Sequence, residues 1–365
     1  MAPVVAALRA RAEEADLRLV LTGQHTTLVD RTLETFRLVP DYDLGIMREG
    51  QSLYDVAHGC LDGIRQVVED FRPHALLVQG DTATVCFGAL VGYFERVAVG
   101  HVEAGLRSHD KWAPFPEEVF RRIAGVVADW HFAPTVGAAA NLAAEGVPWA
   151  RIHVTGNTVV DALLQVAEIP HAVEDQGLAG ALEDGRRLVL LTAHRRESFG
   201  APLREAFEAV RALADERDDV VVVYPVHPNP NVRAVAQELL AGHPRIHLTD
   251  PVGYLDLVTA LRHAALVLTD SGGIQEEAPT FGTPVLVMRA VTERPEGIEA
   301  GVAELVGTDR ERILARARAV LDGQWTAPAS NPYGDGHAGE RIADVVIAEL
   351  TDAPRRTRDL TAPGG

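Results

Sequence analysis

Between Gly100 and Glu118 the sequence GHVEAGLRSHDKWAPFPEE gathers side chains that can move protons: His101, Glu103 and the pair Glu117 and Glu118. A histidine and several carboxylates in one short segment suit general acid–base chemistry if a fold brings them to one place. Arg107, His109, Asp110 and Lys111 fill the loop between them, and Pro114 and Pro116 stiffen the approach to the second acidic pair. A solvated charged loop would have the same composition, so other positions must decide.

Asp81 stands beside Gly80 and Thr82 at the end of the apolar run Ala75-Leu76-Leu77-Val78, as a reacting carboxylate or as the cap of the next helix. His194, opening His194-Arg195-Arg196-Glu197, can bind a phosphate or move a proton beside arginines suited to pyrophosphate. A surface ion-pair cluster is the alternative there, and a turn-stabilising role is equally open for His227, boxed by Pro225 and Pro228. The run Asp270-Ser271-Gly272-Gly273-Ile274-Gln275-Glu276-Glu277 offers Ser271 as a helix cap and two glycines that let a phosphate reach backbone N–H groups. Glu277 then falls one turn in, where a carboxylate can take two ribose hydroxyls; the alternative is a capped helix with an acidic first turn. Gly334 to Gly339 matches G-x-G-x-x-G in form but follows Asn331-Pro332-Tyr333 rather than a strand, so no dinucleotide site is read there.

The elements that must position these groups alternate. Apolar runs at Leu17 to Leu21, Ala75 to Val78, Arg96 to Val99, Trp130 to Ala133 and Arg151 to Thr155 predict strands, with helix-period stretches between them. The segment 172–185 has no strand pattern and is expected to join two domains. The alternation restarts at Leu188 to Leu191 and continues through Val220 to Tyr224, Ile246 to Leu248, Leu266 to Thr269 and Pro284 to Met288. Such alternation means parallel sheets and an α/β fold of two doubly wound domains, with ligands beyond the strands' C-terminal ends. The expected bounds are 1–168 and 186–337, with a helix over 338–351 completing the first domain and a disordered tail over 352–365.

Two domains also suit 365 residues, 47% of them hydrophobic. A net charge of −18, from 34 basic and 52 acidic residues, argues against nucleic acid or an anionic membrane as partner. No apolar run is long enough to span a bilayer, and the cytoplasm is the simplest address. Cys60 and Cys86 lack metal-ligand spacing and fall on helix faces, where core packing is expected. Lys111 is the only lysine, which leaves the tyrosine–lysine dyad of sugar-nucleotide dehydrogenases without a home.

Taken together, GHVEAGLRSHDKWAPFPEE, TGQH, QGDT, TGNTVVDAL, AHRRESFG, YPVHPNPNVR, LTDSGGIQEEAPTFGTPVLVMR, TERPE and NPYGDG resemble the non-hydrolysing UDP-N-acetylglucosamine 2-epimerases over almost the whole chain. The resemblance implies two Rossmann-like domains in a GT-B arrangement, with UDP in the interdomain cleft. It implies interconversion of UDP-GlcNAc and UDP-ManNAc with no metal or nicotinamide, by a homodimer serving cell-envelope polysaccharide synthesis. Asp81, Glu103 and Glu117 match the family's catalytic carboxylates and His194 its catalytic histidine. Ser271, Gly272, Gly273, Glu277 and Arg294 match its UDP-binding residues, with Arg195 beside them. Gln24, Glu117, Arg195 and His227 match positions used for a second, activating UDP-GlcNAc, whereas Thr27 and Gly50 depart from the pattern. Leu257, in the uracil-reading segment 251–257, stands at a position where an aromatic ring can stack in relatives. Family members usually begin with a strand and a Gly-Thr-Arg-Pro-Glu loop, and this sequence begins at Met1-Ala2-Pro3. A central strand and some phosphate contacts are therefore expected to be absent, with lower stability or activity. A hydrolysing relative that releases ManNAc, a GT-B glycosyltransferase and a nucleotide-sugar sensor are the competing readings.

Overall fold

The computed structural model describes residues 1–23, 26–48, 50–195, 198–325 and 331–360, and the chain divides into two units. The first comprises residues 1–162 and 333–365, the second residues 163–332.

In the first unit the strands are β1 (Val20–Leu21), β2 (Tyr42–Asp43), β3 (Ala75–Gln79), β4 (Ala98–Val102), β5 (Trp130–Ala133) and β6 (Ile152–Val154). β3 to β6 form a parallel sheet in sequence order, while β1 and β2 pair with each other as a separate two-stranded ladder. Every residue of β3 is only half-buried, as suits a strand paired on one side alone among the described residues. β4 runs further than its apolar pattern predicted, so His101 lies inside the strand, fully buried, rather than beyond its end. Gly100 makes this extension possible: a Cβ there would come within 2.5 Å of Leu77.

The helix Ala338–Thr351 packs on the helix Ala2–Arg9, and Gly339 allows their close approach, since a Cβ would meet the Pro3 carbonyl at 2.7 Å. The formal G-x-G-x-x-G run thus serves packing. Residues 352–360 are not the disordered tail that their composition suggested. The buried Asp344 carboxylate accepts backbone N–H bonds from Arg356 (2.7 Å) and Thr357 (2.8 Å), and the Leu360 N–H bonds the Val154 carbonyl. Polar composition missed these anchors because they lie in the partner element rather than in the tail.

The second unit carries β7 (Arg187–Thr192), β8 (Val220–Pro225), β9 (Ile246–Thr249), β10 (Ala264–Thr269), β11 (Val285–Val287) and β12 (Ala303–Leu305). Their order, 12-11-10-7-8-9, is wholly parallel and reverses direction between β10 and β7. Val189, Leu190, Val222 and Leu268 are fully buried, as uninterrupted apolar strands covered on both faces must be. The segment 172–185, expected as a connector, contains the helix Gln176–Glu183, capped by Asp175 and belonging to this unit. Its Leu178 and Ala181 are completely buried. Its two glycines and short length hid a helical period too brief to stand out. No helix among the described residues is long and apolar enough to cross a membrane.

Candidate active site

In the first unit, chemistry collects where β3 and β4 end. Gly80 turns the chain out of β3 at φ +84°, and its N–H bonds the Val102 carbonyl at 3.0 Å. Asp81 comes next, half-buried, and Glu103 follows β4. Glu103 is itself at φ +63°, a conformation that costs a non-glycine residue about 1 kcal/mol and is often retained at reacting centres. The Gln79 side-chain amide donates to Glu103 Oε2 at 3.3 Å. A Cβ on Gly80 would lie 4.0 Å from that same oxygen, so the two carboxylate-bearing turns converge on Gly80.

The third carboxylate joins through a neighbour. Glu117 and Glu118 open the helix Glu117–Val127; Glu117 is half-buried, whereas Glu118 is fully buried. Glu118 accepts N–H bonds from Ser108 (3.1 Å) and His109 (3.3 Å), which fastens the charged loop to the helix. Arg121, one turn on, lies 3.6 Å from Glu118 and also pairs with Asp81. Sequence reasoning missed Arg121 and Gln79. The only available signal for Arg121 was its spacing of three from Glu118 on one helix face. We expect Glu118→Gln to lower stability by about 2–4 kcal/mol, because it strips the charge facing a largely buried guanidinium. Equilibrium urea unfolding checks this.

In the second unit, β7 and β10 deliver their loops side by side at the reversal of strand order, where open α/β sheets hold ligands. The buried Asp270 accepts the backbone N–H groups of both His194 and Arg195 at 2.8 Å. The Tyr224 hydroxyl donates to the Ala193 carbonyl at 2.7 Å and secures the same loop from beneath. His194 Nδ1 lies 3.2 Å from Asp270, and its ring stacks on His227 at 5.5 Å. Burial, assisted by Arg195, His227 and Arg289, outweighs Asp270 and holds His194 below the usual histidine range, so the ring is neutral near pH 7. His227 also accepts the Asn229 N–H at 3.2 Å, so it stabilises its turn and supports His194.

Ser271 takes the N-cap position of the helix Gly272–Glu277, but its hydroxyl makes no capping bond, contrary to expectation. Thr269 Oγ1 accepts the Ser271 N–H instead, at 2.9 Å. A Cβ on Gly272 would meet Glu293 at 3.1 Å and Arg195 at 3.5 Å, so charged side chains crowd this turn. Glu293 in turn bonds Arg195 (3.1 Å) and Arg289 (2.6 Å), and Arg294 pairs with Glu276. Glu277 Oε2 is buried with no hydrogen-bond partner among the described residues, and burial, reinforced by Glu276, raises its carboxyl to about 7. Such an orphan acceptor is costly unless a ligand donates to it. Gln24 lies outside the described residues, and Cys60 and Cys86 are buried as expected.

The UDP-N-acetylglucosamine 2-epimerase family model matches residues 7–347. The Bacillus subtilis UDP-N-acetylglucosamine 2-epimerase is 44% identical over 353 residues, covering 95% of this chain and 91% of that protein. Among solved structures, S. aureus MnaA with UDP superposes with a TM-score of 0.85 at 42% identity, covering 99% of this chain and 96% of that one. The Neisseria meningitidis UDP-GlcNAc 2-epimerase bound to UDP-GlcNAc gives a TM-score of 0.82 at 36% identity, over 95% and 96% of the two chains. This α/β chain of two Rossmann-like units therefore belongs to the UDP-N-acetylglucosamine 2-epimerase family.

Proposed function

We propose that the protein interconverts UDP-GlcNAc and UDP-ManNAc by eliminating UDP to give 2-acetamidoglucal and adding it back after protonation on the opposite face of C2. The C2 hydrogen of a hexosamine is not acidic, so direct abstraction to a carbanion is implausible. Coupling its removal to loss of the diphosphate avoids that carbanion. The chemistry needs acid–base carboxylates at the sugar and polar or cationic groups at the leaving diphosphate.

The observation that carries this reading is the convergence of Asp81 and Glu103 on Gly80, with Arg121 and Gln79 holding the two carboxylates. In the same reading Glu117 acts beside them, while His194 and Arg195 serve the leaving UDP. Ser271, Gly272, Gly273 and Arg294 lie on or near its phosphates, and Glu277 takes the ribose. Gln24, Glu117, Arg195 and His227 form the candidate set for activation by a second UDP-GlcNAc. A homodimer in the cytoplasm, supplying cell-envelope polysaccharide synthesis, completes the proposal.

Incubation with UDP-GlcNAc in D2O tests it by NMR. We expect deuterium at C2 of both sugar nucleotides and no accumulation of free ManNAc. Epimerisation that keeps the original hydrogen would refute elimination, and stoichiometric free ManNAc would assign the hydrolysing reaction instead.

A further inference from the structure

His101 is completely buried as the penultimate residue of β4, yet it is a polar residue that apolar packing does not call for. Its Nε2 lies 2.8 Å from the Gly80 carbonyl. A carbonyl can only accept, so Nε2 carries the proton and Nδ1 has a lone pair. That Nδ1 is buried without a hydrogen-bond partner among the described residues. Leaving it so is a cost, which makes the single bond to Gly80 the feature to be explained.

Gly80 is the residue whose rotation would matter most. It sits at φ +84°, where a glycine has broad freedom, and immediately precedes Asp81. Its N–H is tied to Val102 and its carbonyl to His101, so both bonds run to β4, the strand that leads directly into Glu103. The two carboxylate-bearing turns are thus stitched together on both sides of one glycine. We propose, resting on the epimerase reading above, that His101 is a positioning residue: as a neutral Nε2–H imidazole it holds the Gly80 carbonyl and so sets Asp81 against Glu103.

Burial, with smaller contributions from Arg107 and Arg121, outweighs the Gly80 bond and Asp81 and holds the ring at about 4, so it is neutral at working pH and its one proton is the one shared with Gly80. His131, directly opposite on β5, is likewise held neutral, at about 4, mainly by burial and then by His101. No proton is transferred through this pair in the proposal. His101 acts only through Gly80.

Two substitutions and one spectrum test it. His101→Leu keeps bulk and removes the donor, whereas His101→Gln can place an amide N–H near the Nε2 position. We expect H101L to lower kcat roughly 10- to 100-fold, the scale of a misplaced catalytic group, with KM changed by less than about threefold. H101Q should recover most of the loss. UDP titration by calorimetry should show unchanged stoichiometry and Kd in both variants, which separates mispositioning from a shrinking folded fraction. In the wild-type protein, long-range 1H–15N spectra should show a neutral Nε2–H tautomer from pH 5 to pH 8. Equal impairment of both variants, impairment of neither, a kcat loss matched by lost UDP sites, or a charged or Nδ1–H ring would each overturn the assignment. Failure of the wild-type enzyme to deuterate C2 would overturn the epimerase reading alone, because the tautomer spectrum reports on His101 without turnover.

Discussion

Glu103→Gln is expected to reduce kcat for UDP-GlcNAc by about 10²- to 10⁴-fold, the range lost when a positioned acid–base group is removed, while leaving UDP affinity within about twofold. The substitution preserves shape, and its carbonyl oxygen can still accept the Gln79 amide that now reaches Glu103 Oε2. The φ +63° backbone is retained too, because Gln and Glu differ only beyond the γ carbon. What disappears is the capacity to take and return a proton. Asp81 is the natural comparison, since its carboxylate is engaged by Arg121 and its replacement by Asn also disturbs that pair. A loss in C2 deuterium exchange parallel to the loss in kcat would place Glu103 on the proton-transfer step. Exchange retained within tenfold would instead leave that step to Asp81 or Glu117, with Glu103 serving only to shape the site.

The alternation of strands and helices was legible because buried parallel strands are continuous apolar runs, and nearly every one of β3 to β11 coincides with such a run. Candidate loops followed from the rule that parallel strands present their C-terminal ends to a ligand, so Asp81, Glu103, His194 and Ser271 were candidates by position and type. What the sequence hid was partnership. Arg121 is one arginine among many on a helix surface, and nothing local says that it reaches Asp81 some 40 positions earlier. Asp270 only opens the run whose serine and glycines drew notice, yet it holds the backbone of His194 and Arg195 across the sheet. The apolar run predicts a strand ending at Val99, with His101 beyond it, because the following glycine usually marks an end. Only the packing against Leu77 shows why glycine is needed inside that strand. The hidden bonds connect residues distant in the chain, where spacing carries no information.

Affinity for UDP-GlcNAc is expected to fall about a hundredfold between pH 8 and pH 5, with the bend near pH 7. The group responsible in the proposed reading is Glu277, buried, with Oε2 unpartnered among the described residues and its carboxyl raised to about 7 by burial and then by Glu276. Two ribose hydroxyls can both donate to a carboxylate, whereas the protonated acid brings a proton of its own and loses an acceptor site. The binding-competent form is therefore the ionised one. Above pH 7 it dominates and affinity is flat. Below pH 7 its population drops tenfold per unit, and the apparent Kd rises by the same factor. Binding near pH 7 should then release about half a proton, because the bound diol stabilises the ionised form. Tyr254, whose hydroxyl is pushed above its usual range by burial and then by Glu277, is a further titratable group near this carboxylate, and it stays protonated throughout the range. The diphosphate diester of UDP-GlcNAc takes up no proton between pH 5 and pH 8, so the ligand adds no slope of its own. Calorimetry in two buffers of different ionisation enthalpy measures both the Kd and the proton count. Glu277→Gln should bind more weakly at pH 8 and lose most of the pH dependence, and a wild-type slope that survives this substitution would move the titration to His194 and strip Glu277 of the ribose.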